Sequence, residues 1–171
     1  MEIYHTLNRG VDKRNIFLDE QDHFRFIHDL FEFNDTKPAN TTYWDFKKFR
    51  DSGFNDFASR STERKARKLL VSIHAFCLMP NHYHLLLTPR ISDGITKFMK
   101  KLNIGYAKYF NEKYKRNGAL FEGRYKSIRI VDEVHFSHIP QYIHFNPLDL
   151  VAPEWRNNQL TDYQKTITFL G

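Results

Sequence analysis

The 171-residue sequence predicts an α+β domain built on a four-stranded antiparallel sheet. Apolar stretches of strand length alternate with two stretches of helical periodicity, and a short Pro-Asn turn joins two of the strands directly. The resulting order is strand, helix, two strands, helix, strand. This is the β-α-β-β-α-β order of a ferredoxin-like sheet. Another helical stretch follows the last strand, so we expect an added C-terminal helix.

The first part of the chain predicts one strand and one helix. Residues 1–8 are the strand, and Asp19 is a suitable N-cap for a helix over 19–33. The apolar stripe predicted for this helix is Phe24, Ile27, Leu30, Phe31 and Phe33. Residues from about 35 to 68 are polar but contain six aromatic side chains, and we interpret them as an insertion into the domain.

The middle of the chain predicts a hairpin and a helix. Residues 69–79 and 82–88 are apolar strands on either side of the turn Pro80-Asn81. Asp93 can cap the helix that follows. The apolar stripe predicted for this helix is Ile95, Phe98, Met99, Leu102, Tyr106, Tyr109 and Phe110.

The last part of the chain predicts a strand over 121–131 and the added helix over 132–146. Pro140 lies inside this helix and predicts either a kink or a restart of the helix at that point. A loosely patterned tail runs from about 148 to 171. We therefore expect residues 1–171 to form a single domain.

Composition excludes several classes of protein. The single cysteine, Cys77, excludes a disulfide framework and a cysteine-rich zinc site. No apolar run approaches the ~18 residues of a membrane span. The first residues lack the basic-then-apolar pattern of a signal peptide. We expect a cytoplasmic protein with no membrane partner.

Positive charge is concentrated in one stretch. Residues 97–129 contain ten basic and two acidic residues, a net charge of +8 against +6 for the whole chain. Such a concentration is typical of a polyanion-binding face, but a solvated helix face would give the same pattern. Charge alone does not choose between the two interpretations.

Two histidines form the sharpest local motif, His82-Tyr83-His84. Residues two apart on a strand point to the same face, so the two imidazoles could chelate one divalent cation. Taken alone, the motif is better explained by two histidines on a partly exposed sheet face, because short motifs often match by chance. His74, on the partner strand, could be a third ligand or a core histidine, and we favour the core.

A second motif lies in the added helix. Tyr142 and Asn146 are four residues apart and so share one helix face. A phenol can act as a nucleophile, and an amide oxygen can bind a metal. A surface helix with a half-buried tyrosine would have the same sequence.

Together, four motifs in this order resemble the REP-associated tyrosine transposases, which are single-tyrosine transposases with a His-hydrophobe-His (HUH) motif. The resemblance covers most of the chain. The matching stretches are Tyr4-His5-Thr6-Leu7-Asn8-Arg9-Gly10, Met79-Pro80-Asn81-His82-Tyr83-His84-Leu85-Leu86, Leu120-Phe121-Glu122-Gly123-Arg124-Tyr125-Lys126-Ser127 and Tyr142-Ile143-His144-Phe145-Asn146-Pro147.

The resemblance implies a metal-dependent endonuclease and strand-transferase that acts on single-stranded DNA through a 5′-phosphotyrosine. It implies Tyr142 as the nucleophile, and His82, His84 and Asn146 as ligands of Mg²⁺ or Mn²⁺. The implied partner is single-stranded DNA that carries a hairpin, in transposition or in the processing of repeated palindromes. Relatives differ in whether the tyrosine acts within its own chain or across a homodimer. The alternative is a non-catalytic single-stranded nucleic-acid binder on the same fold.

The candidates for DNA contacts are basic or amide side chains in the motifs and in the basic stretch. They would mainly hold phosphates, which fixes position without reading sequence. These candidates are Asn8, Arg9, Arg14, Lys97, Lys100, Lys101, Arg124 and Lys126.

Overall fold

The computed structural model describes residues 2–38, 67–152 and 157, and these form an antiparallel sheet with helices on both faces. The strands are β1 (Ile3–Arg9), β2 (Val71–Met79), β3 (His82–Pro89) and β4 (Lys126–Ile130). The helices are α1 (Glu20–Glu32), α2 (Gly94–Lys113) and α3 (Glu133–Phe145). The strand order is β2-β3-β1-β4, which confirms the predicted ferredoxin-like sheet.

Pairing of β3 with β1 sets the two faces of the sheet. Leu7 pairs with His84 and Arg9 pairs with His82. Because side chains alternate along a strand, β3 divides its residues between two faces. The helix-pair face carries Tyr83, Leu85 and Leu87, and the histidine face carries His82, His84 and Leu86.

Helices α1 and α2 cover the helix-pair face and enclose the larger apolar core. All seven residues of the stripe predicted for α2 are buried, which confirms that prediction. The stripe predicted for α1 is partly wrong, because Phe24 is 63% exposed and Ile27 and Phe31 are also exposed. The buried face of α1 instead combines Phe26 and Leu30 with charged side chains.

Charged groups fill the space between α1 and α2. The Asp22 carboxylate is fully buried and accepts hydrogen bonds from four donors. These are Lys113 Nζ (2.7 Å), Tyr114 Oη (2.7 Å), Tyr109 Oη (3.0 Å) and the Leu18 N–H (2.8 Å). Arg25 and Asp29, one turn apart on α1, form a buried ion pair at 3.0 Å. This polar network explains why hydrophobic periodicity misplaced the buried face of α1.

Helix α3 covers the histidine face with a smaller apolar cluster. Its members from α3 are Ile139, Tyr142 and Ile143, which meet Cys77, Met79 and Leu86 from the sheet. The helix continues through Pro140, so of the two predicted alternatives, a kink or a restart, the restart does not occur. A 3-10 segment, Asn146–Leu150, follows directly.

Other boundaries differ from the predictions in smaller ways. The last strand is only five residues long, and Phe121 contributes an isolated bridge to Gly10. Asp93 does precede α2, but its backbone is left-handed and its side chain makes no capping bond. Most of the predicted insertion and most of the predicted tail lie outside the described residues. No helix in the described part of the chain is long and apolar enough to span a membrane.

Candidate active site

The candidate site lies on the histidine face, where strand pairing brings three imidazoles together. The rings of His82 and His84 have centroids 5.0 Å apart and are nearly perpendicular. His5 of β1 lies diagonally across from His84, and its Nε2 is 2.8 Å from His84 Nδ1. The prediction that His82 and His84 share a face is therefore confirmed.

The turn before His82 is held by the loop that follows β1. The Gly10 N–H donates to the carbonyl of Asn81, and the Ile16 N–H donates to the carbonyl of Pro80, at 2.8 and 2.7 Å. The Asn81 side-chain amide donates to the Lys13 carbonyl at 3.2 Å. This leaves Asn81 Oδ1 to face His82 Nδ1, 2.6 Å away.

Helix α3 places Tyr142 over this face. The Tyr142 ring is edge-on to His84, with centroids 5.7 Å apart, and its centroid is 6.3 Å from that of His5. Ile143, which is fully buried, anchors the same turn of the helix against the sheet. Two elements distant in sequence thus bring a phenol beside the histidines.

Asn146 follows at the end of α3 and is 1% exposed. Neither its Oδ1 nor its Nδ2 has a hydrogen-bond partner among the described residues. An unsatisfied buried amide costs about 1–3 kcal/mol, so a polar ligand at this position would remove a penalty. Amide oxygens and imidazole nitrogens both bind divalent cations, so the residue types present on this side of the sheet fit such an ion.

In the described part of the chain, acidic and sulfur side chains do not complete a metal site with the histidines. Among the described residues, no group of three or more His, Cys, Asp or Glu side chains is placed to hold a metal ion. A metal site with His82 and His84 would therefore need another kind of ligand, and Asn146 is the candidate.

Two other possible nucleophiles, Tyr83 and Cys77, are less suitable than Tyr142. Tyr83 points into the helix-pair core, where burial raises the pKa of its phenol far above the usual value. Cys77 pairs with His84 across the strands, and burial, with a smaller effect of Asp149, raises the pKa of its thiol to about 11. A thiol with that pKa is protonated at neutral pH and is a weak nucleophile.

His74 lies outside both predicted roles. Its side chain is exposed, so the favoured assignment to the core is wrong. Its Nε2 lies 2.8 Å from the hydroxyl of Thr88, on the neighbouring strand.

The sequence model of the family described as "Transposase IS200 like" matches residues 46–146, more than half of the chain. This chain belongs to the IS200-like transposase family. No curated protein sequence matches it. The matched stretch begins within the region predicted to be an insertion and includes the histidine pair, Tyr142 and Asn146.

Transposases are among the solved structures that match this chain. A REP-associated tyrosine transposase bound to a REP hairpin is 12% identical, with a TM-score of 0.51, and the match covers 88% of this chain and 68% of that one. A provisionally named transposase from Deinococcus radiodurans R1 is 20% identical, with a TM-score of 0.43, and the match covers 84% and 89% of the two chains. The first match supports the sheet and helix arrangement described above.

The predicted DNA-contact residues of the transposase are divided between the two sides of the sheet. Lys97, Lys100 and Lys101 lie on α2, on the layer that covers the helix-pair face. Lys101 donates to the carbonyls of Asp35 and Lys37.

The remaining candidates lie on or next to β1 and β4. Arg9 pairs with His82 and so lies on the histidine face, and its Nε is buried without a hydrogen-bond partner in the described chain. Arg124 and Lys126 are exposed beside it. Asn8 is 5% exposed and donates to the Gly123 carbonyl, and Arg14 Nε donates to the carbonyl of Val11.

His5 is the site residue that was not singled out from the sequence. Its position on the predicted first strand could have identified it. In the ferredoxin-like order the first strand lies beside the third, so a histidine on β1 meets the histidine pair.

Proposed function

We propose that this transposase cuts and rejoins single-stranded DNA through a covalent bond to Tyr142. The observation that carries the proposal is the edge-on contact of the Tyr142 ring with His84, with centroids 5.7 Å apart. A phenol beside two imidazoles and a buried amide combines a nucleophile with metal-binding groups. Family membership supports DNA as the substrate.

His82, His84 and Asn146 would hold a divalent metal ion, Mg²⁺ or Mn²⁺. When bound, the ion would polarise the phosphate and offset the negative charge that develops there. Of the three, Asn146 would gain most from a bound ion, because its amide is buried and has no hydrogen-bond partner among the described residues.

Tyr142 supplies the attacking oxygen. The phenol loses its proton as its Oη bonds to phosphorus, and the bond from phosphorus to the 3′ oxygen breaks. The departing oxygen takes up a proton, which leaves a 5′-phosphotyrosine and a free 3′-hydroxyl. Attack by another 3′-hydroxyl reverses the step, so strands are rejoined without a nucleotide cofactor.

The DNA would approach along the end of the sheet where β1 finishes. Arg9 lies on the histidine face there, with Arg124 and Lys126 exposed nearby. These cations can hold phosphates close to Tyr142. A structural relative bound to a REP hairpin supports a substrate with a hairpin beside the single strand. Because Tyr142 contacts a histidine of its own chain, we propose that it acts within one chain.

Incubation of the protein with a labelled single-stranded oligonucleotide that contains a palindromic hairpin tests the proposal. With Mg²⁺ or Mn²⁺, a denaturing gel should show a covalent protein–DNA adduct. Tyr142→Phe removes only the hydroxyl, so DNA binding should persist while the adduct disappears. Tyr83→Phe is the matched control and should leave the adduct unchanged, because that phenol points to the other face.

An experiment that mixes two variants distinguishes cleavage by a tyrosine of the same chain from cleavage by the tyrosine of a partner in a dimer. Tyr142→Phe mixed with His82→Ala should give no adduct if each chain uses its own tyrosine, and an adduct if the tyrosine crosses between chains. An adduct formed by Tyr142→Phe alone would refute the assigned nucleophile. DNA binding without any adduct in the wild-type protein would favour the non-catalytic binder.

A further inference from the structure

The pair His5–His84 contains a contact that the proposed reaction does not use. His5 Nε2 is 2.8 Å from His84 Nδ1, and both side chains are buried, with exposures of 6% and 5%. The two rings stack at an interplanar angle of 20°. One of these two nitrogens carries the hydrogen and the other accepts it.

The contact between Asn81 and His82 shows which ring nitrogen of His82 carries the hydrogen. Asn81 uses its NH₂ group on the Lys13 carbonyl, so its Oδ1 faces His82. An amide oxygen can only accept, so His82 Nδ1 carries the hydrogen. The lone pair of His82 is therefore on Nε2.

A metal held by both histidines requires the same arrangement in His84. A histidine ligand binds through one nitrogen and donates the other N–H to a partner that fixes the ring. For His84, the Nδ1 partner is His5 Nε2.

We propose that His5 is a positioning residue that accepts a hydrogen bond from His84 Nδ1 and so keeps the Nε2 lone pair of His84 available for the metal. The proposal rests on the proposed function, since metal binding is what demands this tautomer. His5 acts through His84 and is not itself a ligand. Asn81, in the turn, then fixes the tautomer of His82, and His5, on the adjacent strand, fixes the tautomer of His84.

Long-range ¹H–¹⁵N NMR of the metal-free protein reads the tautomer directly, at a pH where imidazoles are neutral. The His84 signal is assigned by its loss in His84→Gln. The wild-type protein should show His84 protonated at Nδ1. In His5→Phe, which keeps a ring but has no acceptor, the Nε2-protonated form should become populated.

Metal titration gives a second measurement. Removal of a residue that hydrogen-bonds a metal ligand typically lowers metal affinity by roughly 10–100-fold. We expect a loss of that size in the affinity of His5→Phe for Mn²⁺. His5→Gln places an amide oxygen near the position of Nε2 and should restore most of the affinity. His74→Phe, a histidine substitution on the adjacent strand, is the matched control and should change neither measurement.

Three results would overturn the inference. One is a wild-type His84 protonated at Nε2. Another is a His5→Phe variant with unchanged tautomer and unchanged affinity. The third is an equal loss of affinity in His5→Gln and His5→Phe, which would make His5 a ligand.

Failure of the proposed function gives a different result. Tautomer control and Mn²⁺ binding would both be seen, but the wild type would form no adduct with DNA. A wild-type protein that binds no Mn²⁺ would remove both the function and the metal-directed role of His5.

Discussion

Two buried polar side chains on opposite sides of the sheet differ in their hydrogen bonds. On the helix-pair face, Asp22 is fully buried and accepts four hydrogen bonds. On the histidine face, Asn146 is equally inaccessible but has no hydrogen-bond partner among the described residues. A satisfied group stabilises a fold, whereas an unsatisfied group is a cost that function can explain. The difference indicates that Asp22 stabilises the packing of α1 on α2, whereas Asn146 is a candidate for ligand binding.

Removal of the buried carboxylate should give the largest effect on stability. Asp22→Ala leaves the Lys113 ammonium and two tyrosine hydroxyls without their shared acceptor. Lys113 keeps Asp19 as a partner, so the loss comes mainly from the tyrosine hydroxyls and the Leu18 N–H; each donor left unsatisfied costs about 1–3 kcal/mol, for a total of about 3–5 kcal/mol. Chemical denaturation should show a loss of this size. Glu20→Ala, an exposed substitution on the same helix, should stay within about 0.5 kcal/mol. A loss below about 1 kcal/mol for Asp22→Ala would show that its network is not stabilising.

The unsatisfied amide should behave in the opposite way. Asn146→Leu replaces it with an apolar side chain of similar size and should raise the free energy of unfolding by roughly 1 kcal/mol in metal-free protein. The same variant should lose Mn²⁺ binding and the DNA adduct. Thermal denaturation and metal titration measure the two effects.

Asn34→Leu is the control for this gain. Asn34 is also buried, but its amide bonds the backbone of Leu70 and Val71 at 2.9 to 3.0 Å. The substitution should therefore destabilise the protein by about 1–3 kcal/mol. Equal losses in Asn34→Leu and Asn146→Leu would remove the distinction between the two faces.

DNA affinity should show a smaller contrast between the faces. Arg9→Gln removes a cation from the histidine face and should reduce the slope of log affinity against log salt by about 0.7 for single-stranded DNA. Lys97→Gln removes a cation from the opposite layer and should leave that slope nearly unchanged. Fluorescence anisotropy across a salt series measures both. A larger effect for Lys97→Gln would place the DNA on α2 instead.

Periodicity predicted the sheet and the shared face of His82 and His84 better than it predicted α1. The histidine pair and the pair Tyr142 and Asn146 could be located because two-residue and four-residue spacings translate directly into shared faces. The position of Tyr142 beside His84 could not be predicted from spacing, since no spacing relates β3 to α3. The α1 stripe was misplaced because its buried face carries Asp22, Arg25 and Asp29, which hydrophobic periodicity assigns to solvent.

Local sequence patterns do not predict which side chains meet across neighbouring strands. The role of His5 depends on the register of β1 against β3, which its own stretch of sequence does not encode. The basic stretch was a single feature in sequence, but the fold divides it between α2 and the β4 edge. Local charge density gave no sign of this separation.

The turn at Pro80 and Asn81 has a consequence for how the chain can vary in length. The N–H groups of Gly10 and Ile16 donate hydrogen bonds to the carbonyls of this turn, and these bonds fix the position of β3 relative to β1. A shift of β3 by one residue would direct Tyr83 toward α3 and bury both histidines in the aromatic core. One gained or lost codon at this turn would therefore abolish the active site while altering none of its residues, so we expect length variation among relatives to fall elsewhere.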